Sequence, residues 1–288
     1  MAVKKEIDYR KERRKSHVAW GFAIFFACVW LVIALVPFFF MVMNSFRKQF
    51  DMLSQGVFHM PDPWYFENYV NVVANGFFGY FLRSVIVVAV SMILMLAIAS
   101  CAAYPLSRMK FKLRGFLYAG IVAMMSIPMH VTLIPIFKMT TDMGLYDTLW
   151  SLIGPYVTFA LPMSVFILTA FMSTIPKEIE ESAEIDGCGK VRLFTRVMMP
   201  LIKPALATSA IFSFYWKWDD FMGSLLYLNS PEKYTVSIAL KLFCDPTSVS
   251  DYGAMFAMCV ASLLPVIVLF LFTQKYIVDG IAMSGLKA

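Results

Sequence analysis

Three ionisable side chains stand in an otherwise apolar stretch, and their types and spacing could do chemistry. Lys217, Asp219 and Asp220 lie among aromatic residues in the run Trp-Lys-Trp-Asp-Asp-Phe at 216–221. A charge inside hydrocarbon costs on the order of 2.5–3.5 kcal/mol, so such residues normally face one another or a water-filled path. Carboxylates accept hydrogen bonds from hydroxyl groups, and the ring of Trp218 offers a flat apolar face of the kind on which sugar rings stack.

Two interpretations of this cluster stay open at the level of sequence. Lys217 and Asp220 are three residues apart, so on a helix they would share a face and could neutralise each other within a bundle. That ion pair leaves Asp219 unexplained. The other interpretation gives the run a role in a solute pathway or its gating, carried by Lys217, Trp218, Asp219, Asp220 and Phe221.

The rest of the chain has no constellation typical of a catalytic or metal site. The three histidines, among them His130, are scattered, and the five cysteines have no spacing that suits zinc. The run Gly-Cys-Gly-Lys at 187–190 has a weak likeness to a phosphate-binding loop. However, Glu184 stands where that motif requires its first glycine, and Val191 where it requires Ser or Thr. We therefore predict no catalytic residue, no metal ligand and no ATPase activity of this chain's own.

The elements that must position these residues follow from the composition. The chain has 288 residues, of which 60% are hydrophobic and only 15% charged, and its mean hydropathy is +0.70. Soluble domains contain about 45–50% apolar and about 25% charged residues. A soluble globule of this size could not bury so many apolar side chains, and a disordered chain would not contain them. The composition predicts a protein whose solvent is lipid.

Charge-free stretches predict six membrane-spanning helices. Five such stretches have at least 23 residues each, and a helix needs only about 20 to cross a bilayer. A sixth is interrupted by the charges at 217–220. The expected fold is an all-α polytopic membrane protein, in which Pro128 and Pro135 bend the third span. Residues 1–15 are a basic cytoplasmic arm, residues 16–288 form the transmembrane domain, and the spans lie at about 18–43, 84–107, 115–137, 149–173, 204–228 and 252–274.

The basic residues predict the orientation in the membrane. With the N-terminus in the cytoplasm, eighteen Lys and Arg residues fall on the inside and six on the outside, and Lys217 lies within a span. Cytoplasmic loops carry the excess of positive charge in membrane proteins. Both termini are therefore expected in the cytoplasm, as is the segment 176–203 between the fourth and fifth spans.

The segment 176–203 is longer than a connection requires. It has about 28 residues, whereas a topological connector needs only a handful. Pro176 suits the first turn of a helix, acidic residues follow it, and Gly187 and Gly189 allow a break. A second short helix is predicted after the break, with an apolar stripe formed by Val191, Phe194, Val197 and Met198. Such surplus structure indicates a docking surface.

The spacing within this segment resembles the EAA loop of ABC importer permeases, and we name residues 176–203 the EAA-like segment. Glu181-x-Ala183-x-x-x-Gly187 is followed by nine residues and then by Val197-x-Met199-Pro200. The usual pattern is Glu-Ala-Ala, three residues, Gly, nine residues and Ile-x-Leu-Pro, so the departures are Ser182, Val197 and Met199. The flanking residues, including the tail at 280–287, are similar to the maltose-type carbohydrate branch. Its Trp-Asn-Glu/Asp-Phe element is matched at 218–221, except that Asp219 replaces the usual Asn.

This resemblance implies a type I ABC importer permease fold and half of the translocation pathway of an oligosaccharide importer. In such a protein the EAA-like segment would transmit the motion of partner ATPases, and the residues implied to contact them are Glu181, Ala183, Asp186, Gly187 and Pro200.

The implied partners are a homologous second permease, two ATPase subunits, an extracellular or periplasmic solute-binding protein and the lipid bilayer, with no nucleic acid. ATP and Mg would be bound by the ATPases, so no cofactor is expected here, and the location would be the bacterial cytoplasmic membrane. The alternatives are an ABC permease for a non-sugar solute, an ion-driven carrier or a membrane-bound enzyme.

Overall fold

The computed structural model describes the backbone of residues 2–56, 58–243 and 251–285, and the side chains of residues 20–56, 58–243 and 251–274. The predictions for the basic arm at 1–15 and for the tail at 280–287 concern side chains outside these ranges. The chain forms two compact units, Met1–Val72 with Ser248–Ala261 and Val73–Thr247 with Ser262–Ala288.

The described residues fold into helices and contain no strand. In chain order the α-helices are α1 (Ala2–Ser45), α2 (Gln49–Ser54), α3 (Glu67–Ala74), α4 (Phe77–Arg108), α5 (Arg114–Ala123), α6 (Met129–Asp142), α7 (Trp150–Thr174), α8 (Glu178–Ile185), α9 (Lys190–Arg192), α10 (Met199–Leu201), α11 (Lys203–Trp218), α12 (Met222–Tyr227), α13 (Val236–Ala239) and α14 (Tyr252–Gly285). Short 3-10 turns occupy Met124–Ser126, Pro231–Lys233 and Leu240–Phe243, and a π-helical turn occupies Leu193–Met198.

The predicted all-α membrane fold is confirmed. Within the described residues, four helical stretches are long and apolar enough to cross a membrane, namely Trp20–Ser45, Phe77–Arg108, Trp150–Thr174 and Tyr252–Gln274. Two further pairs of helices qualify only when each bent pair counts as one span, Arg114–Ser126 with Met129–Asp142 and Lys190–Leu201 with Lys203–Trp218. Six spans are reached in that way.

The bend in the third predicted span lies at Pro128. The helical segment before it ends at Ser126, α6 begins at Met129, and the two directions differ by 99°. Proline disfavours helical geometry in the residue before it, and Ile127 is extended with ψ 114°. Pro135, in contrast, lies inside α6. His130 lies in the first turn of α6, directly after the bend.

The second unit is built around α4 and α7, which pack together along much of their length. The buried face of α4 repeats every three or four residues, at Ser84, Val88, Ser91, Met95, Ala99 and Ala103, and four of these six side chains are Ser or Ala. Small residues let two helix backbones approach closely in a membrane, where apolar burial supplies little driving force. This face therefore fixes α4 firmly against α7.

In the first unit, Arg47 is almost fully buried, with 2% of its surface exposed. Its guanidinium donates to the Asn44 Oδ1 at 3.1 Å and to the carbonyls of Gly56 and Asp51 at 2.8 and 2.9 Å. Asn68 in turn donates to the Arg47 carbonyl at 2.9 Å. Hydrogen bonds of this kind offset the desolvation of a buried cation.

In the second unit, Asp147 holds the α6–α7 loop against the chain that follows α12. Its carboxylate accepts hydrogen bonds from the backbone N–H groups of Asn229 and Ser230 at 2.9 and 3.0 Å, from the Ser230 hydroxyl at 2.6 Å, and from the Lys233 ammonium at 2.8 Å. Burial raises the pKa of this carboxyl, but the four donors outweigh it and hold the pKa well below its ordinary value.

Asp147→Asn tests this loop contact. Asp147 has a positive φ of 55°, which Asn also tolerates, so the substitution removes charge without straining the backbone. We expect the midpoint of thermal unfolding at pH 7 to fall by roughly 2–6 °C. Because the folded pKa is depressed, the ionised form contributes stability above the unfolded pKa of about 3.9 and loses it only as the pH falls below that value.

The exposed Asp142 supplies the matched control, because Asp142→Asn makes the same chemical change in the same loop region. Thermal unfolding of wild type and of both variants in detergent, at pH 7 and at about pH 3, measures the difference and its decrease in acid. Equal midpoints for Asp142→Asn and Asp147→Asn would contradict a stabilising role for Asp147.

Candidate functional site

The EAA-like segment forms two short helices joined by a glycine turn, as predicted. Helix α8 ends in a reverse turn in which the Gly187 N–H bonds the Glu184 carbonyl at 3.0 Å and the Cys188 N–H bonds the Ala183 carbonyl at 2.9 Å. Gly187 has φ +78°, in the left-handed region where glycine pays no steric penalty. Gly189 has an ordinary φ of −66°. Of the two glycines, only Gly187 is required by backbone geometry.

The predicted apolar stripe of the second helix is only partly correct. Met198 is buried, and Phe194 and Val197 are half-buried, but Val191 is 78% exposed. Leu193 and Ile202, which lie outside the predicted stripe, are also buried. Leu193 and Met198 are five residues apart, which fits the π-helical turn at Leu193–Met198. In a π-helix the bonds run from i to i+5, so the buried face follows a longer period than the 3.6 residues that the prediction assumed.

A buried ion pair holds α8 to the end of α4. The Arg108 Nε lies 2.8 Å from the Glu180 Oε1, and the two side chains are only 6% and 15% exposed. Arg108 also donates to the carbonyl of Ile175, which follows α7, at 2.6 Å. The Tyr104 hydroxyl donates to the Glu180 Oε2 at 3.3 Å, and the Tyr104 ring lies 5.1 Å from that of Phe194 in the π turn. One end of α4 therefore contacts both halves of the EAA-like segment.

Other side chains of the EAA-like segment face outward. Glu181 and Asp186 are exposed, Pro200 is exposed and Ala183 is half-buried. Two large apolar side chains on either side of the glycine turn are also exposed, Ile185 at 86% and Val191 at 78%. Polar and apolar side chains are thus exposed together around the glycine turn, while the ion pair of Glu180 with Arg108 holds α8 in place.

The charged cluster lies where the predicted fifth span is interrupted. Helix α11 ends at Trp218 and α12 begins at Met222, so the residues between them are not α-helical. Next to this interruption is an open cavity of about 450 Å³. Its lining residues are His130, Tyr215, Trp216, Asp219, Asp220, Phe221 and Met222. Interrupted helices at membrane depth occur where the chain lines a cavity or is buried in protein.

Lys217 and Trp218 point away from this cavity. Lys217 is 2% exposed and its ammonium donates to the Ser213 hydroxyl, while no described carboxylate lies within 4 Å of it. The predicted Lys217–Asp220 ion pair is therefore absent from the described structure, because the helix that would align the two residues ends between them. Trp218 is buried, stacks on the Phe214 ring at 5.5 Å and donates to the Ser262 carbonyl at 3.1 Å.

The two aspartates have different surroundings. Asp220 accepts a hydrogen bond from the Tyr156 hydroxyl at 2.7 Å and one from the Gly223 N–H, in the first turn of α12, at 3.2 Å. Asp219 is exposed, and among the described residues its carboxylate has no hydrogen-bond donor. Asp220 therefore stabilises the interruption, whereas the Asp219 side chain is exposed and makes no bond to the described residues.

Sequence reasoning missed several cavity residues, because the chain brings them together from distant positions. His130 comes from the first turn of α6, just after the bend at Pro128. Trp216, 39% exposed, takes the position expected for Trp218. The sequence has no local signal that separates the two tryptophans, because the burial of Trp218 depends on its contacts with Phe214 and Ser262.

A comparison with protein families covers both regions. Residues 95–282 match the model of the family described as binding-protein-dependent transport system inner membrane component, and this range covers most of the chain. The chain belongs to this family. As a member it is a permease, a membrane subunit of a transport system that works with a solute-binding protein, and the matched range includes the EAA-like segment and the cavity residues.

The permease is similar to curated proteins over nearly its whole length. It is 41% identical to a putative ABC transporter permease of Caldicellulosiruptor sp. (strain Rt8B.4), with 98% of this chain and 100% of the relative covered. It is 34% identical to a diacetylchitobiose uptake permease of Streptomyces coelicolor, with 90% and 86% covered. It is 30% identical to a trehalose/maltose transport permease of Thermococcus litoralis, with 91% and 94% covered.

A solved structure supports the fold of the permease. A chain of a bacterial ABC transporter involved in the import of the acidic polysaccharide alginate aligns with a TM-score of 0.77 at 22% identity, with 87% of this chain and 93% of that chain covered. The helical bundle is thus that of an ABC importer membrane subunit.

Alanine substitution should separate the two aspartates. Asp220→Ala removes the acceptor of the Tyr156 hydroxyl and of the Gly223 N–H, and we expect it to destabilise the protein by about 1–3 kcal/mol. Asp219→Ala makes the same change one residue away, where no described bond is lost, and should stay within about 0.5 kcal/mol of wild type. Thermal unfolding of both purified variants in detergent measures this, and equal losses would refute the assignment of roles.

Proposed function

We propose that the permease forms half of the translocation pathway of an ATP-driven carbohydrate importer. The other half is a homologous second permease, two ATPase subunits supply the energy, and a solute-binding protein delivers the solute from outside. The chain itself is not an enzyme and holds no cofactor, since ATP and Mg are bound by the ATPases. The observation that carries this proposal is the EAA-like segment, an anchored turn that projects outward from the end of the bundle.

The exposed surface of that turn suits a protein cleft. Ile185 and Val191 present apolar area that would be costly to leave in water, and Glu181 stands beside them as an exposed acid. A basic residue in the cleft of an ATPase would complement Glu181, and Gly187 keeps the turn tight enough to enter it. Ala183, Asp186 and Pro200 complete the proposed contact.

The charge distribution supports an orientation with both termini in the cytoplasm of a bacterial cell. The EAA-like segment then faces the cytoplasm, where ATP is available. The loop that contains Asp147, and the chain after α12, then face outside, towards the binding protein.

The proposal of a carbohydrate rests on the relatives and on the cavity. Several similar permeases are named for the uptake of oligosaccharides, among them diacetylchitobiose, trehalose and maltose. The cavity combines the free carboxylate of Asp219, which can accept from hydroxyl groups, with the exposed ring of Trp216. Asp219 and Phe221 are proposed to line the pathway, Asp220 to shape it, and the buried Lys217 and Trp218 to support it from behind.

Charge reversal at Glu181 tests the proposed coupling. Glu181→Lys should lower uptake of the oligosaccharide that the binding protein retains by at least about tenfold, which corresponds to 1.4 kcal/mol or more. The reason is that the substitution places two cations together in the ATPase cleft. The purified assembly should still hydrolyse ATP at its basal rate. Uptake in membrane vesicles and ATP hydrolysis in detergent measure the two quantities.

Glu178→Lys is the matched control, since Glu178 lies in the same turn of α8 and is also exposed. It should retain most of the uptake. Wild-type uptake by Glu181→Lys would overturn the coupling role, and a chain that transports without an associated ATPase would overturn the proposed function itself.

A further inference from the structure

Helix α4 is a single uninterrupted helix whose two ends contact different functional regions. It runs from Phe77 to Arg108 and is about 48 Å long at 1.5 Å per residue. Two of the other candidate spans are bent pairs of helices. The pair that ends in α6 is broken near the cavity, and the pair that ends in α11 is broken within the EAA-like segment. An unbroken helix can carry a displacement along its length in a way that a broken helix cannot.

At one end, α4 contacts the EAA-like segment by the bonds already described. Arg108 pairs with Glu180 of α8, and Tyr104 packs against Phe194 of the π turn. Both contacts are largely withdrawn from water, where electrostatic and packing interactions resist displacement.

At its other end, α4 holds residues 234–237, which we name the bridging segment. The Ser84 hydroxyl accepts a hydrogen bond from the backbone N–H of Val236 at 2.8 Å, and both residues are buried. The Arg83 Nε donates to the Tyr234 carbonyl at 3.0 Å. Ser84 lies 24 residues before Arg108, which corresponds to about 36 Å along the helix.

The bridging segment in turn holds the interruption that lines the cavity. The Ser237 hydroxyl donates to the Asp220 carbonyl at 2.8 Å, and the Thr235 hydroxyl donates to the Ser224 hydroxyl at 3.0 Å. Asp220 and Ser224 flank the start of α12. Hydrogen bonds thus connect α4 to the bridging segment, and other hydrogen bonds connect the bridging segment to Asp220, which lines the cavity, and to Ser224 of α12.

We propose that α4 transmits the motion of the EAA-like segment through the bridging segment to the cavity, with Glu180 and Ser84 as the positioning residues at its two ends. The proposal rests on the proposed function, because it assigns the motion to an ATPase. Packed elements with defined bonds move as rigid bodies rather than deforming continuously. The link is reciprocal, so a change at the cavity also alters the EAA-like segment.

Labelling of a cavity cysteine tests the proposal without knowledge of the solute. The five native cysteines are replaced by serine, and Met222→Cys serves as the reporter in the complete assembly with its second permease and ATPases. A membrane-impermeant maleimide is the probe. We expect the labelling rate to differ at least about tenfold between the nucleotide-free assembly and the assembly trapped with ATP and vanadate, a difference of 1.4 kcal/mol.

Removing the contact at either end of α4 should reduce the ratio of the labelling rates in the two states. Ser84→Ala and Glu180→Gln should each lower it about threefold, within the range expected for one hydrogen bond. The matched controls are Ser91→Ala, a buried serine of α4 whose hydroxyl bonds only within the helix, and Glu178→Gln on α8. Both controls should leave the ratio unchanged.

The double variant Ser84→Ala/Glu180→Gln decides between one link and two separate effects. Substitutions of distant residues without shared partners normally have additive effects on free energy. Here, two additive reductions of about threefold each would bring the ratio of labelling rates, about tenfold in wild type, close to one. If α4 joins the two residues, the double variant should be no worse than the more affected single variant. The proposal would be overturned by any of three results. These are additive losses in the double variant, an effect of Ser91→Ala equal to that of Ser84→Ala, and a wild-type ratio of labelling rates near one.

These outcomes are distinct from a failure of the proposed function. Labelling requires no solute, so a permease that imports a non-sugar leaves the result unaffected. A chain that does not copurify with an ATPase fails at the purification step, before any labelling.

Discussion

A guanidinium at the end of α4 and a carboxylate at the start of α8 are both withdrawn from water, 2.8 Å apart, and the orientation of the EAA-like segment depends on their interaction. Removing one partner of a buried pair leaves an uncompensated charge and typically costs about 3–5 kcal/mol. Arg108 also binds the Ile175 carbonyl, so the same side chain defines where α7 ends and where α8 starts. With this base anchored, the glycine turn can present Ile185 and Val191 outward.

Polar contacts also stabilise the interruption of the fifth predicted span. A chain that leaves the helical conformation at membrane depth must satisfy its free backbone groups within the protein. Here the Asp220 carboxylate accepts from the Gly223 N–H, the Ser237 hydroxyl donates to the Asp220 carbonyl, and the Tyr156 hydroxyl holds the Asp220 side chain in place. The neighbouring Asp219 side chain makes no bond within the part of the chain that the structure describes, so two adjacent identical residues have different surroundings.

Much of the fold was predictable from sequence, since charge-free stretches, Pro128 and Gly187 act through local rules that a single chain displays. The all-α membrane fold, the bend at Pro128 and the glycine turn all follow from such rules. The features that the sequence did not predict depend on contacts between distant residues. The π turn, which leaves Val191 exposed and buries Leu193, has no local signature. The ion pair that shields Glu180 while Glu181 stays exposed depends on Arg108, more than 70 residues earlier.

A covalent replacement of the ion pair tests most directly whether α4 and α8 move as one body. Arg108→Cys and Glu180→Cys are combined in a chain lacking the native cysteines and joined by a short bifunctional thiol reagent within the complete assembly. If the two helices move together, the cross-linked assembly should take up solute at about the same rate as the same variant before cross-linking, or faster. Loss of uptake on cross-linking, with recovery when a cleavable linker is reduced, would show that α4 and α8 must separate and would contradict the account.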